Sequence, residues 1–127
     1  MTGKLRLTLE HQGLYMVFVK YEVLGIERLW ADKDRGGEGY GSGKMWQMIS
    51  EDLDPDTISR ASVIFFLNRL VDWKVCAFRD ATGKGGHHRI YYITMTREVF
   101  WKWLAKLFAE RLVEASGLTI EELLSVK

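Results

Sequence analysis

The chain has 127 residues, 47% of them apolar and 13% aromatic, which is enough apolar material for one well-packed domain, so disorder is not the default expectation. Its formal net charge of +1 lacks the strongly basic balance of the nucleic-acid-binding proteins that are easiest to recognise. No apolar run reaches the roughly 18 residues of a membrane span and no signal-peptide pattern is present, so we expect a cytoplasmic protein without membrane contact.

Charge is distributed unevenly along the chain. Between residues 20 and 56, nine acidic side chains outnumber five basic ones, whereas between residues 57 and 89 six basic side chains face only Asp72 and Asp80. This asymmetry indicates one basic face on an otherwise acidic body.

Two apolar segments precede the first predicted helix. Residues 4–10 alternate between apolar and polar side chains, which predicts a half-buried strand. Residues 14–19 are continuously apolar and fit either the second strand of a hairpin or the opening of a helix, because periodicity does not separate the two. Residues 21–30 predict a helix, since Tyr21 and Leu24 share one stripe of it.

A glycine-dense loop follows this helix. Residues 32–43 contain five glycines and are not expected to hold regular structure well. The loop resembles a phosphate-binding loop only superficially, because Glu38 stands where that pattern needs glycine and Met45 stands where it needs Ser or Thr. We therefore interpret it as a flexible connection to a short helix, which Ser42 would cap and which would run through Leu53.

The centre of the chain predicts a helix followed by a basic hairpin. The helix begins near Ser59 and carries a core-facing stripe with helical spacing, formed by Val63, Phe66, Leu67, Leu70 and Val71. Residues 75–79 and 89–94 have the composition of paired strands, and residues 81–88 between them form a glycine-rich tip.

Two helices are expected at the C-terminal end. Thr96 can cap a long helix that extends to about residue 115 and ends at Gly117. Thr119 and Glu122 have the spacing of a capping box for a final short helix. We expect a single domain over residues 1–127, with a core at about 20–96 and a helical extension at about 97–127.

A helix followed by a basic hairpin is the order in which a winged helix-turn-helix contacts DNA. Candidate base-reading and phosphate-binding residues in the first helical turn are Ser59, Arg60 and Ser62, because arginine can donate two hydrogen bonds to guanine and serine can bind bases or phosphates. Candidate phosphate-binding residues near the hairpin tip are Lys84, His87, His88 and Arg89. The simpler alternative is that Ser59 only caps the helix and that the charged groups are solvated surface residues.

Residues 21–112 resemble the winged-helix transcriptional regulators of the MarR and penicillinase-repressor (BlaI-like) families. The resemblance rests on Glu22-Val-Leu-Gly-Ile-Glu-Arg-Leu-Trp30, on Ile58-Ser-Arg-Ala-Ser-Val63 leading into Leu67-Asn-Arg-Leu-Val71, and on Gly83-Lys-Gly-Gly-His-His-Arg-Ile-Tyr-Tyr92. It implies a mainly helical α+β fold, a winged helix-turn-helix with an N-terminal strand or hairpin. It also implies a dimeric, repressor-like DNA-binding regulator whose recognition helix begins near Ser59, whose wing is centred on Lys84 and whose C-terminal helices dimerise.

The chain departs from these families at two places. They usually place a glycine before the first wing strand, whereas residues 72–75 contain none. Ile64 and Phe65 also replace polar groups that commonly face DNA. Either this pair contacts thymine methyl groups or protein covers that face, and we favour coverage because two large apolar groups would otherwise be exposed together.

The long C-terminal helix is apolar on more than one face, which favours a second partner for it. The candidate dimerisation residues are Phe100, Trp101, Trp103, Leu104, Leu107 and Phe108. A two-fold homodimer would bind double-stranded DNA at half-sites about one helical turn apart.

Other functions have less support from the sequence. Cys76, the single cysteine, cannot form an internal disulfide, and its spacing from the three histidines does not match a zinc site. A redox or metal sensor remains an alternative, as does a winged helix that binds protein instead of DNA. We expect no enzymatic activity, cofactor or metal.

Overall fold

A computed structural model describes residues 5–83 and 86–126 of the chain, which divides into two compact units, residues 1–94 and 95–127. The first unit contains a 3-10 helix followed by the elements α1 (Lys20–Asp34), β1 (Tyr40–Gly41), α2 (Ser42–Leu53), α3 (Arg60–Asp72), β2 (Cys76–Gly83) and β3 (Gly86–Ile93). The second contains α4 (Arg97–Ser116) and α5 (Ile120–Leu124). The fold is α+β and mainly helical, as the sequence predicts.

The three helices α1, α2 and α3 enclose the core of the first unit. Its fully buried large side chains include Ile26, Leu29, Trp30, Met45, Ile49, Val63, Phe66, Leu67, Leu70 and Val75. The predicted core stripe of α3 is confirmed, with only Val71 remaining half-buried. At the surface, α1 and α2 are joined by a bidentate ion pair in which Arg28 Nη2 lies 2.7 Å from Asp52 Oδ1. Those hydrogen bonds raise the pKa of Arg28 and lower the pKa of Asp52.

The sheet is antiparallel, with the order β1-β3-β2. The predicted hairpin is confirmed, but its strands extend into residues 81–88, which were expected to form the tip. β1 was not foreseen, because glycine-dense segments rarely form strands. It pairs with β3 since Gly39, at φ +98°, brings its backbone against the Tyr91 carbonyl, where a Cβ would overlap that oxygen.

A left-handed lysine ends α3. The N–H of Lys74 donates to the Val71 carbonyl and the N–H of Val75 donates to the Leu70 carbonyl, each across 2.9 Å. These two bonds form a Schellman motif, whose left-handed position glycine usually occupies. Lys74 adopts φ +64° instead. The chain therefore makes the expected turn into the hairpin without the missing glycine.

The expected N-terminal strand or hairpin is wrong. Residues 5–19 contain no strand, and Gly13–Met16 forms a 3-10 helix. Leu7 and Leu9 are exposed, so the alternating pattern has no buried face to occupy. The N–H of Thr8 donates to the Met16 carbonyl across 2.6 Å, which closes this segment as a loop.

The two C-terminal helices begin and end as predicted. The Thr96 hydroxyl accepts a hydrogen bond from the N–H of Val99, and Gly117 ends α4 with a left-handed φ of +74°. Thr119 and Glu122 form the predicted capping box of α5. Within the part of the chain that the structure covers, no helix is both long and apolar enough to cross a membrane.

Candidate nucleic-acid interface

The first turn of α3 is capped by its own serines. Ser59 Oγ accepts a hydrogen bond from the N–H of Ser62 across 3.0 Å, and the two hydroxyl oxygens lie 2.8 Å apart. The capping interpretation of Ser59 is therefore correct, and Ser62 shares the cap. Ser59 is exposed and Ser62 is half-buried, so the Ser59 hydroxyl remains accessible to an external hydrogen-bond partner.

Arg60 is the first residue of α3 and lies beside the first turn of α2. The residue is exposed, and its Nη2 would be 2.8 Å from a Cβ placed on Gly43. Trp46 Nε1 donates to the Ile58 carbonyl across 2.9 Å, which fixes α2 against the segment that leads into α3. The amino-terminal turns of both helices therefore lie side by side, with one arginine between them.

The outward face of α3 carries an exposed aromatic ring. At 100° per residue, Ala61, Phe65, Asn68 and Asp72 point away from the buried stripe. Phe65 is 69% exposed and Ile64 is half-buried. The expectation that protein covers both residues is therefore wrong for Phe65. The core positions of α3 are filled by four other apolar side chains, which leaves Phe65 on the opposite side of the helix.

Strand alternation separates the hairpin residues that the sequence grouped together. His87 pairs with Thr82, His88 with Ala81 and Arg89 with Asp80. Because successive side chains of a strand point to opposite faces, His87 and Arg89 lie on one face of the hairpin and His88 lies on the other. Lys84 lies outside the described residues.

Arg89 is held at the junction between the hairpin and α3. Its guanidinium carbon lies 4.0 Å from the centroid of the Phe78 ring, and its Nη1 donates to Asn68 Oδ1 across 3.4 Å. Tyr91 donates its hydroxyl hydrogen to the same oxygen across 2.8 Å. Asn68 is thus the shared acceptor that connects α3 to β3.

Sequence reasoning missed Asn68, Phe78 and Tyr91. One signal was available, since Asn68 is an amide directly after the predicted core residue Leu67 in a helix. A buried or half-buried amide requires hydrogen-bond partners. The identity of those partners depends on the register of the hairpin, which the sequence does not specify.

Two arginines of the basic half of the chain have acidic neighbours. Arg69 donates to the buried carboxylate of Glu22 and lies over the rings of Phe66 and Trp73. Glu22 Oε1 also accepts from the N–H of Val19 across 3.0 Å, at the start of α1. Arg79 Nη2 lies 3.9 Å from Glu38. The unpaired positive charge on this half of the chain is therefore smaller than the residue count indicates.

Tyr21 lies beside the ion pair between Glu22 and Arg69. Burial raises the pKa of the Tyr21 hydroxyl, and the charge of Glu22 raises it further, whereas Arg69 opposes the shift. Tyr21 also packs edge-on against Phe66, with ring centroids 6.0 Å apart. These contacts attach the amino-terminal turn of α1 to the carboxyl-terminal half of α3.

The glycine loop encloses the carboxylate of Asp32. This residue is 6% exposed, and its Oδ2 accepts from the N–H of Gly39 across 2.8 Å. A Cβ on Gly37 would overlap the carboxylate. Arg35 contributes an ion pair at 3.5 Å. These contacts hold the loop around Asp32 and position β1. The loop was expected to be a flexible connection, but it has a structural role instead.

The thiol of Cys76 is buried at the start of β2. Burial raises the pKa of this thiol to about 12, which keeps it protonated near neutral pH and unsuited to the thiolate chemistry of a redox sensor. Among the residues with described positions, no group of three or more His, Cys, Asp or Glu side chains could hold a metal ion.

The six candidate dimerisation residues of α4 differ in exposure. Phe100 and Leu104 are buried within a single copy of the chain. Trp103, Leu107 and Phe108 are half-buried, and Trp101 is 39% exposed. Only these last four side chains present surface that a second molecule could reach.

Comparisons with known protein families, with characterised proteins and with solved structures found no match for this chain. The features of the chain that bear on its function are the element order, the exposed first turn of α3 and the hairpin beside it.

Proposed function

We propose that the protein is a winged-helix, sequence-specific DNA-binding transcriptional regulator. The observation that carries the proposal is the junction at Asn68, where the β2–β3 hairpin is joined to α3. The element order from α1 to β3 and the three-stranded sheet are compatible with a winged helix. The resemblance to MarR-like and BlaI-like regulators in the same residues adds support.

In this proposal the two sides of the junction have different tasks. Ser59, Arg60 and Ser62 enter the major groove at the exposed start of α3, where arginine can read guanine. The hairpin acts as the wing, with His87 and Arg89 directed toward the same side as α3 and in reach of phosphates. Lys84 would add a phosphate contact from the wing, while His88 faces away from α3.

We further propose that the regulator is a homodimer. The exposed and half-buried aromatic side chains of α4, among them Trp101 and Phe108, supply apolar area that a second copy could cover. A two-fold dimer would present two copies of α3 to a pseudo-palindromic site. Analytical ultracentrifugation tests this arrangement, since Trp101→Ala should shift the protein toward monomer and Lys102→Ala should not.

A second candidate function is binding to another protein. The 69% exposure of Phe65 favours it, because an exposed aromatic residue on a helix is a frequent anchor at protein interfaces. The near-neutral net charge of +1 points the same way. Salt dependence separates the two functions, since only DNA binding releases condensed counterions.

Fluorescence anisotropy with labelled duplex DNA tests the proposed function. Wild-type protein should bind random duplex at low salt and lose affinity steeply as salt is added. Arg60→Ala should relax sequence preference on a selected duplex, and Lys84→Ala should weaken all sequences alike and lower the salt slope by roughly one. Lys102→Ala on α4 is the matched charge control. Absence of any DNA binding at low salt would refute the proposal.

A further inference from the structure

Phe65 is an exposed aromatic residue that the fold does not use. Its side chain is 69% exposed, more than any other large apolar side chain in the helices and strands between residues 20 and 93. Among the described residues, its ring makes no aromatic contact. Burying such a side chain against a binding partner would contribute favourable free energy, and the fold leaves the ring accessible for such a contact.

Hydrogen-bonding groups surround this apolar residue. Arg60 precedes it by five residues, or about 7.5 Å along the helix axis. Asn68 follows it by one turn and carries the guanidinium of Arg89 at its oxygen. Ala61, one turn before Phe65, is small and exposed, so another surface can approach the helix closely there.

Two acidic residues lie toward the carboxyl-terminal end of this surface, and Asp56 lies in the segment that leads into α3. Asp72 ends α3, two turns beyond Phe65, and Asp80 pairs across the hairpin with Arg89. On the amino-terminal side of Phe65, Arg60 forms no ion pair with any residue that the structure describes. That distribution fits a helix that approaches a polyanion with its amino-terminal half first.

One apolar side chain among donors matches the major-groove edge of an A·T pair. That edge presents the thymine C5 methyl group beside the acceptors thymine O4 and adenine N7. A protein partner would instead favour a continuous apolar surface, whereas Phe65 has only the half-buried Ile64 and the methyl group of Ala61 beside it.

We propose that Phe65 is a specificity-determining residue that contacts thymine methyl groups in the major groove, an assignment that rests on the proposed function. With this contact α3 would recognise A·T pairs through the apolar ring of Phe65, in addition to the hydrogen bonds that Arg60 would donate to bases. The position is one where the resembling families commonly carry polar groups.

The test removes the thymine methyl groups from the DNA and, separately, the aromatic ring of Phe65 from the protein. A duplex is selected from random DNA with wild-type protein, and a second version carries deoxyuridine in place of every thymidine. Affinities of wild type and Phe65→Ala for both duplexes are measured by anisotropy at one salt concentration. Leu9→Ala, which shortens an equally exposed apolar side chain outside α3, is the matched control.

Wild-type protein should bind the uridine duplex about fourfold more weakly for each methyl contact, as expected for one buried methyl group. Phe65→Ala should bind the thymidine duplex more weakly and lose the preference for it, while Leu9→Ala should retain both. Because Phe65 is exposed, the variant should keep the wild-type melting temperature and circular dichroism spectrum.

Equal affinity of wild type for the two duplexes would overturn the inference. So would a Phe65→Ala variant that keeps the wild-type preference for thymidine, since the preference would then come from another residue or from DNA shape. Failure of wild type to select any duplex is a different result, because it removes the proposed function itself and with it the role of Phe65.

Discussion

Tyr91 donates its hydroxyl hydrogen to Asn68 Oδ1 across 2.8 Å, and this bond joins β3 to α3 where the hairpin meets the helix. Tyr91 is buried and Asn68 is half-buried, so the bond is largely shielded from water. Arg89 reaches the same oxygen. The side-chain oxygen of Asn68 therefore accepts hydrogen bonds from two residues of β3.

Replacing Tyr91 by Phe should lower the free energy of unfolding by about 1 kcal/mol, because a shielded hydrogen bond is lost while the ring stays packed. Tyr92→Phe is the matched control, since Tyr92 is the exposed neighbour on the same strand and its change should remain within about 0.5 kcal/mol. Urea denaturation measures both values. Equal losses of unfolding free energy in the two variants would show that the hydrogen bond from Tyr91 to Asn68 does not stabilise the fold.

Lys74→Gly should stabilise the protein by up to about 1 kcal/mol, because a left-handed backbone conformation costs a residue with a Cβ roughly that amount. Lys74→Ala removes the same side chain but keeps the Cβ, and it should leave stability nearly unchanged. The difference between these two variants in urea denaturation isolates the backbone effect. A Gly variant no more stable than the Ala variant would contradict this account of the turn.

Gly37→Ala should lower the free energy of unfolding by about 2 kcal/mol or more, because the added methyl group would overlap the buried carboxylate of Asp32. Gly83→Ala is the matched control, since its Cβ would lie 3.7 Å from His88 in ordinary contact. Thermal unfolding followed by circular dichroism compares the two. If Gly37→Ala left the melting temperature unchanged, the loop would be able to move away from Asp32 at little cost in free energy.

DNA affinity should depend on one of the two histidines near the hairpin tip and not on the other, because only one face of the hairpin meets α3. His87 lies on the hairpin face shared with Arg89 and His88 lies on the opposite face. His87→Gln should therefore weaken DNA binding measured by anisotropy, and His88→Gln should leave it nearly unchanged. The reverse pattern would place the DNA on the other face of the hairpin.

Stability should decrease at alkaline pH because of Cys76. Burial raises the pKa of its thiol to about 12 in the folded chain, above the value of about 8.5 for an unfolded thiol. The protonated thiol therefore contributes stability that is complete below pH 8.5 and is lost as pH rises toward 12. Relative to Cys76→Ala, the wild type should lose up to about 1.4 kcal/mol per pH unit in that range.

Urea denaturation of both proteins at pH 8, 9, 10 and 11 measures this loss. Groups such as lysine and tyrosine titrate in both proteins, so only the difference between them reports on Cys76. Parallel stability curves over the whole range would show that the thiol becomes accessible before it ionises. Native protein should also resist thiol-specific alkylation at pH 8 and become reactive when unfolded in urea.

Local patterns in the sequence were sufficient for α3, α4 and α5, whereas α1 continues to Asp34, beyond its predicted end at residue 30, and Gly41 is the N-cap of α2 in place of the predicted Ser42. Thr96, Gly117 and the pair Thr119 and Glu122 set helix ends through contacts within one or two turns, and the apolar stripe of α3 follows from helical spacing alone. The prediction of an N-terminal strand was wrong because a strand depends on contacts with distant segments. Alternation indicates a strand only where another element buries one face, and residues 5–10 have no such partner.

The sequence by itself determined the positions and caps of α3, α4 and α5, the hairpin and the excess of basic residues between 57 and 89, because each depends on neighbours along the chain. Only the tertiary structure decided that Arg89 binds Asn68, that His87 and His88 face opposite ways, and that Phe65 stays in solvent. Those outcomes depend on strand register and on which helix face meets the core. Strand register and helix orientation are both set by packing between segments far apart in the chain, so no local sequence pattern predicts them.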